Sequence, residues 1–426
     1  MAKINKKQGV GERGGGEGAG ASGTGVPAYG NPWPPPPKIL IVAGEASGEA
    51  HAARLVAAIR AQAPQAEFFG IGGEAMAAQG VRLLCQASEL AVVGLFEVAG
   101  RLGAVWRALR EVRLALKSAR PALAILVDFP DFNFWVARLA RFYRVPVMYY
   151  ISPQVWAWRT YRVRTIARLV DRLVVIFPFE EEFYQQRGVP ATYVGHPMLE
   201  ALPPRAERRV ILAQWGLDPQ RLTLALLPGS RASEIHRHLP TLLAGARLLQ
   251  GAIPQAQFIL PLASTVPVEL VESLVAGAGL KPAAALKIIP GHSYEALAAA
   301  HLALVSSGTA TVEAALAATP TIIVYRLSPW TFAVGRRLIR VPHVGMANLL
   351  AEARLFPELI QDDFTPERLA QEVLALMGDR PRLQDLFQGL ARVRRRLKEP
   401  GASLRAARVA LELVAAGKNY KEVAHL

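Results

Sequence analysis

Asp128 stands directly behind the apolar run Ile125-Leu126-Val127 and opens the hexapeptide Asp128-Phe129-Pro130-Asp131-Phe132-Asn133. A carboxylate at the carboxyl end of a buried strand is partly desolvated and can be tuned as a general base. The competing role is a helix cap, which suits Asp131 or Asn133 better than Asp128. A second turn, Gly44-Glu45-Ala46-Ser47-Gly48-Glu49, follows the apolar run 39–43. Its glycines admit a ligand close to the backbone, and the helix behind it offers unpaired N–H groups and the positive end of a dipole. The spacing is neither G-x-G-x-x-G nor a Walker A sequence, which weakens a dinucleotide or triphosphate reading. The same residues also fit a plain tight turn with Ser47 as N-cap.

Further along, Ser152-Pro153-Gln154-Val155-Trp156-Ala157-Trp158-Arg159 sets two tryptophans beside an arginine. They could wall a sugar or lipid site, although packing is the commoner fate of tryptophan. In the second half, Leu227-Pro228-Gly229-Ser230-Arg231 and Ser306-Ser307-Gly308-Thr309, with Glu313 behind it, place small residues and free backbone donors at helix starts. Arg231 adds a planar fork suited to phosphate. Either loop alone could be a turn that merely needs glycine; the pair suits a nucleotide diphosphate. Hydrolase signatures such as G-x-S-x-G and H-E-x-x-H are missing. His236 and His238, the histidines nearest in sequence, sit at i, i+2 of an expected helix and so point to different faces. Metal-free chemistry is the expectation.

These residues need strands and helices to hold them. Apolar runs at 39–43, 68–71, 123–128, 146–151, 173–177 and 193–195 predict buried strands, with helical periodicity at 50–62, 102–118 and 134–142 between several of them. After a polar and basic interval near 203–209 the rhythm restarts, with strands expected at 222–227, 258–262, 286–289, 302–305 and 321–325, and only helices beyond Pro366. Such alternation predicts parallel sheets covered on both faces, with ligands beyond the carboxyl ends of the strands. The expected divisions are a Gly/Pro-rich disordered tail at 1–37, Rossmann-like domains at 38–205 and 206–378, and a helical segment at 379–426.

Composition narrows the class. With 426 residues, 52% of them hydrophobic, the chain can build large cores without disulfide or metal staples. Its single cysteine, Cys85, points to a reducing compartment, taken as the cytoplasm. No apolar stretch is long enough to span a bilayer, and the start of the chain turns to glycine instead of a secretory apolar core. The formal charge is +15. Segment 101–120 carries six basic residues against Glu111, and segment 380–408 carries nine against Asp385 and Glu399. The first reads as a basic amphipathic helix, either a core helix with a solvated face or one that meets an anionic surface. Nucleic acid is not expected, because no zinc-finger spacing, RNA-recognition signature or basic stripe interleaved with aromatics is present.

Taken together the motifs resemble lipid-A-disaccharide synthases. The stretches are VAGEASGE, ELAVVGLFEV, VDFPDFN, YYISPQVWAWR, FPFEEEFY, VGHPM, LLPGSR, SSGTATVEAAL and the run from Tyr325 to Leu350, in that order over residues 38 to about 415. The resemblance implies an α/β GT-B fold, two Rossmann-like domains facing a cleft with C-terminal helices packing back. It implies an inverting, metal-free transfer, without a cofactor, that joins UDP-2,3-diacylglucosamine to 2,3-diacylglucosamine 1-phosphate (lipid X) and releases UDP. By position Asp128 matches the candidate general base, Glu45 and Ser47 the acceptor-side turn, and Ser230, Arg231, Ser307, Gly308, Thr309, Glu313 and Asn348 the UDP side. Trp330 matches an aromatic position near a hydrophobic site. Glu49 stands where the family usually has Asp. The resemblance admits a homodimer, since some members exchange C-terminal helices. Combined with the charge, it implies a peripheral enzyme on an anionic membrane surface, the inner face of the inner membrane. The alternatives weighed are another GT-B nucleotide-sugar transferase, a UDP-sugar epimerase, and a non-catalytic basic membrane- or nucleic-acid-binding protein on the same fold.

Overall fold

The computed structural model describes residues 36–44, 46–91, 98–203, 206–280, 286–328, 332, 343–397 and 399–423. The expected tail at 1–37 lies almost wholly outside the described residues. Two parallel sheets form the frame. The first has the order β3-β2-β1-β4-β5-β6-β7, from β1 (Lys38–Ala43), β2 (Glu67–Gly72), β3 (Arg82–Gln86), β4 (Leu123–Val127), β5 (Val147–Tyr150), β6 (Arg172–Val175) and β7 (Ala191–Tyr193). The second runs β10-β9-β8-β11-β12-β13, from β8 (Thr223–Leu227), β9 (Gln257–Leu262), β10 (Leu286–Pro290), β11 (Leu302–Ser306), β12 (Thr321–Tyr325) and β13 (Glu358–Ile360).

Central strands are apolar throughout because both faces are covered. Ile39 to Ala43 and Leu123 to Val127 are all inaccessible to solvent, and each large aliphatic among them contributes about 1.5–3 kcal/mol of burial. Alternate residues serve opposite layers. Leu40, Val42, Ala124, Leu126, Val147 and Tyr149 share one cluster with the inner faces of helices Val98–Ala119, Pro130–Phe142 and Val163–Leu169. Helices Ala46–Gln62 and Ala402–Val423 pack against each other on the opposite face, the second of them also touching β4 and β5. Two strands escaped the sequence reading, β3 and β13. Both are edge strands, short and only partly buried, so neither needs the continuous apolar run that marks the others.

The C-terminal segment is divided between the two halves. Helix Arg380–Arg396 packs with Thr309–Ala317, Met346–Ala351 and Pro366–Gly378 of the second half, whereas Ala402–Val423 returns to the first. The two basic segments therefore fall into different layers. Where the chain crosses back it is bonded to the outward crossing. Arg405 donates to the carbonyls of Val194 (2.6 Å), Glu399 (2.8 Å) and Pro400 (3.2 Å), and Ser403 donates its N–H and hydroxyl to the Glu200 carboxylate. Beside this staple lies His196, 3% exposed, whose Nδ1 accepts from the Met198 N–H. No helix among the described residues is long and apolar enough to cross a membrane.

Two outcomes follow from the staple. Arg405→Met should lower stability by about 2 kcal/mol, mainly through the charged hydrogen bond lost to the Val194 carbonyl, read by calorimetry. Burial pushes the His196 imidazole down to about 3, so the unfolded chain binds a proton that the folded chain refuses. Stability is then complete above pH 6.5 and falls as pH drops toward 3, by about 1.4 kcal/mol per pH unit for this group. Unfolding midpoints between pH 7 and 5 should show a shallower slope in His196→Gln; equal slopes would contradict the assignment.

Candidate active site

In each sheet the strand order reverses once, between β1 and β4 in the first and between β8 and β11 in the second. Loops leaving the two strands at such a point lean to opposite faces and open a crevice at the carboxyl ends. Four of the five turns singled out from sequence, those after β1, β4, β8 and β11, flank these two crevices.

In the first sheet, the turn after β1 meets the turn after β4. Gly44 is glycine of necessity, since a Cβ there would stand 2.2 Å from the Phe129 ring. A Cβ on Gly48 would lie 3.6 Å from that of Asp128, which places the start of the helix against the candidate base. Glu45 lies outside the described residues. Ser47 is exposed in the first turn of helix Ala46–Gln62, inside it and not ahead of it, so it is not the N-cap. Glu49 points away from Asp128: its Oε1 accepts the Ala75 N–H at 2.8 Å, at the start of helix Glu74–Ala78. Its carboxylate fills the space a side chain on Gly73 would need.

Asp128 and Phe129 both adopt left-handed backbone conformations, with φ of 46° and 49°. For residues other than glycine this costs on the order of 1–3 kcal/mol each, so the surroundings must impose it. The restraint falls on the Asp128 carbonyl, which accepts Asn133 Nδ2–H and the Tyr149 hydroxyl, each at 2.6 Å. Asn133 also donates to the Val127 carbonyl at 3.2 Å. Both donors are fully buried. Burial, with the nearby Asp128 charge second, holds the Tyr149 phenol well above its usual range, so it remains a neutral donor. The expected capping roles are not found: helix Pro130–Phe142 starts on proline, Asp131 pairs with Arg162 at 2.7 Å, and Asn133 braces the turn. The half-buried Asp128 carboxyl is thus carried on a backbone fixed from beneath.

The tryptophan turn is packed more tightly than an open wall would be. Trp156 is 7% exposed and donates Nε1–H to Glu180 at 3.0 Å; the side chain of Trp158 lies outside the described residues. Glu180, which no motif spacing singles out, also accepts the N–H groups of Ile176 and Phe177. Burial raises its carboxyl to about 7 despite these three donors. It ties the loops after β5 and β6 together. Its signal in the sequence is an acid in the first turn of a helix that begins at Pro178.

In the second sheet Gly229 has φ of 128°, and the Ser230 N–H donates to Glu234 at 2.9 Å. Arg231 lies 3.5 Å from the same carboxylate with its side chain 70% exposed, a cation held near the switch point yet open to a ligand. His238, fully buried, clamps this loop to the end of β12. Its Nε2 accepts the Arg326 N–H at 3.0 Å, which leaves Nδ1–H to donate to the Pro228 carbonyl at 2.7 Å. His236 on the same helix is exposed, so the two imidazoles do face apart. Ser307 donates to the Val344 carbonyl at 2.8 Å, Gly308 takes φ of 148°, and Thr309 opens a helix aimed from the crevice. Glu313 accepts the Ser293 hydroxyl at 2.7 Å; burial, then the Glu295 charge, raises its pKa. Asn348 is fully buried and its amide is committed to Phe356 and Glu358, which in turn accepts the Val344 and Gly345 N–H groups. Through these bonds it shapes the segment that Ser307 touches. Trp330 lies outside the described residues.

The family model for lipid-A-disaccharide synthetase matches residues 39–412, a span that contains both crevices. The chain belongs to that family. Lipid-A-disaccharide synthase of Myxococcus xanthus (strain DK1622) is 46% identical over 90% of this chain and 99% of its own length, and that of Geobacter metallireducens is 44% identical over 89% and 98%. Among solved structures, UDP-GlcNAc 2-epimerase from Neisseria meningitidis, bound to UDP-GlcNAc, superimposes with a TM-score of 0.62 at 11% identity, covering 88% of this chain and 100% of its own. MurG of Acinetobacter baumannii gives 0.53 at 16%, covering 89% and 100%. At such identities these neighbours show the shared two-domain Rossmann-like architecture of GT-B glycosyltransferases. In this member of the synthetase family, Tyr149→Phe should leave the fold intact while cutting turnover with little change in KM, because only the aim of the Asp128 turn is relaxed. Equal turnover would show that Asn133 alone suffices.

Proposed function

We propose that this chain transfers 2,3-diacylglucosamine from UDP to the 6-hydroxyl of 2,3-diacylglucosamine 1-phosphate, forming a β-1,6-linked disaccharide 1-phosphate and UDP. The observation that carries the reading is Asp128, a carboxylate on a braced left-handed turn at the switch point of the first sheet, in a chain of this family. Asp128 accepts the proton of the attacking hydroxyl as its oxygen bonds to the anomeric carbon. The bond from that carbon to the diphosphate breaks on the opposite side, so the configuration inverts. Ser230, Arg231 and the helix-start N–H groups at Gly308 and Thr309 meet the diphosphate, whose growing charge a guanidinium and a helix N-terminus both stabilise. Glu313, steadied by Ser293, serves the nucleoside side, and Asn348 keeps the 343–348 segment in place for Ser307. Glu45 and Ser47 lie on the acceptor side by their place in the first turn, and Trp330 is assigned to a hydrophobic contact. Because both substrates are acylated anions, the enzyme works at an anionic membrane surface, on its cytoplasmic side.

Purified protein given the two substrates should release UDP and a disaccharide monophosphate. Intact substrates would sink the reading, and a panel of UDP-sugars without acyl chains separates it from transfer or epimerisation of soluble sugars. Asp128→Asn should lower turnover by about 10² to 10⁴, the usual contribution of a general base, while UDP binding measured by calorimetry persists. Near-normal turnover would remove Asp128 from the role.

A further inference from the structure

Two arginines from the segment after β5 converge on the turn after β4. Arg162 Nη2 lies 2.7 Å from one carboxylate oxygen of Asp131, and Arg159 Nη1 lies 3.8 Å from the same oxygen. Burial is uneven across the group. The Arg162 side chain is 19% exposed and that of Arg159 31%, whereas the Asp131 side chain is 74% exposed. An ion pair to an open carboxylate adds little to stability, and drawing two guanidiniums partly out of water offsets some of that gain. Stability alone gives little reason for the arrangement.

Both arginines are nevertheless held in place. Arg159 follows helix Val155–Trp158 and Arg162 ends the single turn Thr160–Arg162, with the Arg162 N–H donating to the Arg159 carbonyl at 2.9 Å. The segment that leads to them is anchored from beneath: the Tyr184 hydroxyl donates to the Pro153 carbonyl at 3.1 Å, and Trp156 donates to the buried Glu180 at 3.0 Å. Arg162 also lies over the Phe134 ring, 5.7 Å from its centroid, on the helix that carries Asp131. Planar forks fixed in this way suit the oxygens of a phosphate.

Asp131 follows Asp128 by three residues, which the chain cannot stretch beyond about 11 Å. In a hexose the C1 substituent and the C6 hydroxyl stand on the two sides of the ring oxygen, about one sugar ring apart. A 6-hydroxyl at the Asp128 carboxyl therefore leaves a C1 phosphate within reach of the place that the Asp131 carboxylate occupies. We propose that Arg159 and Arg162 bind the phosphate monoester of the acceptor sugar, whose oxygens displace Asp131 from the fork. The assignment rests on the acceptor reading given under Proposed function, and it adds the group that orients that acceptor. A monoester carries about 1.5 to 2 negative charges at neutral pH against one for the carboxylate, so the exchange favours the phosphate. Asp131 keeps the two cations together until then. With the phosphate clamped at one end of the ring, the 6-hydroxyl is the one turned toward Asp128.

Equilibrium binding of 2,3-diacylglucosamine 1-phosphate, and of 2,3-diacylglucosamine without the phosphate, to the full chain in one detergent tests the clamp. The unsubstituted chain should bind the phosphorylated sugar more tightly by about tenfold or more, as charged hydrogen bonds allow. R159Q and R162Q should each weaken that binding about tenfold and leave the unphosphorylated sugar where it was. D131N should act in the opposite direction and tighten the phosphorylated sugar, because the competitor for the fork is gone. A purely structural ion pair makes the three variants behave alike and lose both sugars equally; that result overturns the proposal, as does equal binding of the two sugars by the unsubstituted chain. UDP binding, read by calorimetry, should be the same in all four proteins. Loss of UDP binding in the arginine variants at an unchanged unfolding midpoint would give the fork to the donor's diphosphate and overturn the assignment too. If the selectivity appears as expected but no disaccharide forms, the phosphate site stands and the transfer is the part that fails.

Discussion

A parallel sheet hides its central strands from solvent everywhere except at one end of one gap, where the strand order reverses and the two loops part. Both sheets of this protein have a single such gap, and the residues with chemical capacity sit at the rims of both. Everything else in the structure can be understood as fixing what those rims present. In the first sheet the constraint is severe, because the carboxylate must leave the end of β4 on a backbone that sterics disfavour. Tyr149 and Asn133 hold it there through a single carbonyl, the apolar core holds them, and Gly44 leaves room for the Phe129 ring that the same turn displaces. A left-handed turn braced in this way changes little as a ligand arrives, which is what electrostatic preorganisation requires.

The second gap is built differently. Its polar rim is drawn from three separate stretches of chain and clasped by side chains: His238 between Pro228 and Arg326, Asn348 between Phe356 and Glu358, Ser307 onto Val344. Fixed donors on flexible-looking loops become rigid through these clasps. Arg231 is the exception, its guanidinium only loosely paired with Glu234 at 3.5 Å and its side chain 70% exposed.

The sequence made the frame legible to the extent that burial dictates it. The nine strands inside the two sheets announce themselves by apolar runs, whereas β3 and β13, at sheet edges and only partly buried, have no such run to read. Asp128, Gly229 and Gly308 were visible as strand-end residues, because their positions follow from the strand that precedes them. Their supports were not. Tyr149 belongs to a strand where it looks like core, Asn133 to a helix start where it looks like a cap, and Glu180 and His238 are polar residues that each take a partner from far along the chain, 24 positions away for Glu180 and 88 for His238. Local pattern carries no information about such partners; only the folded chain brings them together. Glu49 shows the same limit, its extra reach explained by the bare backbone of Gly73. The charge, too, needed the fold, which assigns its two concentrations to different layers.

The return of helix Ala402–Val423 to the first sheet has a consequence for the order of events at the ribosome. Helix Ala46–Gln62 touches β4 on that face, but the cover that helix Ala402–Val423 adds over β4 and β5 begins to emerge only about 250 residues after β5 is made. At ordinary elongation rates that interval is on the order of tens of seconds. During it the first half is a sheet with one apolar face incomplete, too exposed to be a finished domain and too long-lived to be ignored by chaperones. The protein is two domains in architecture and one unit in biogenesis: a nascent chain cut short before residue 402 would leave the first half without the helix that completes its cover.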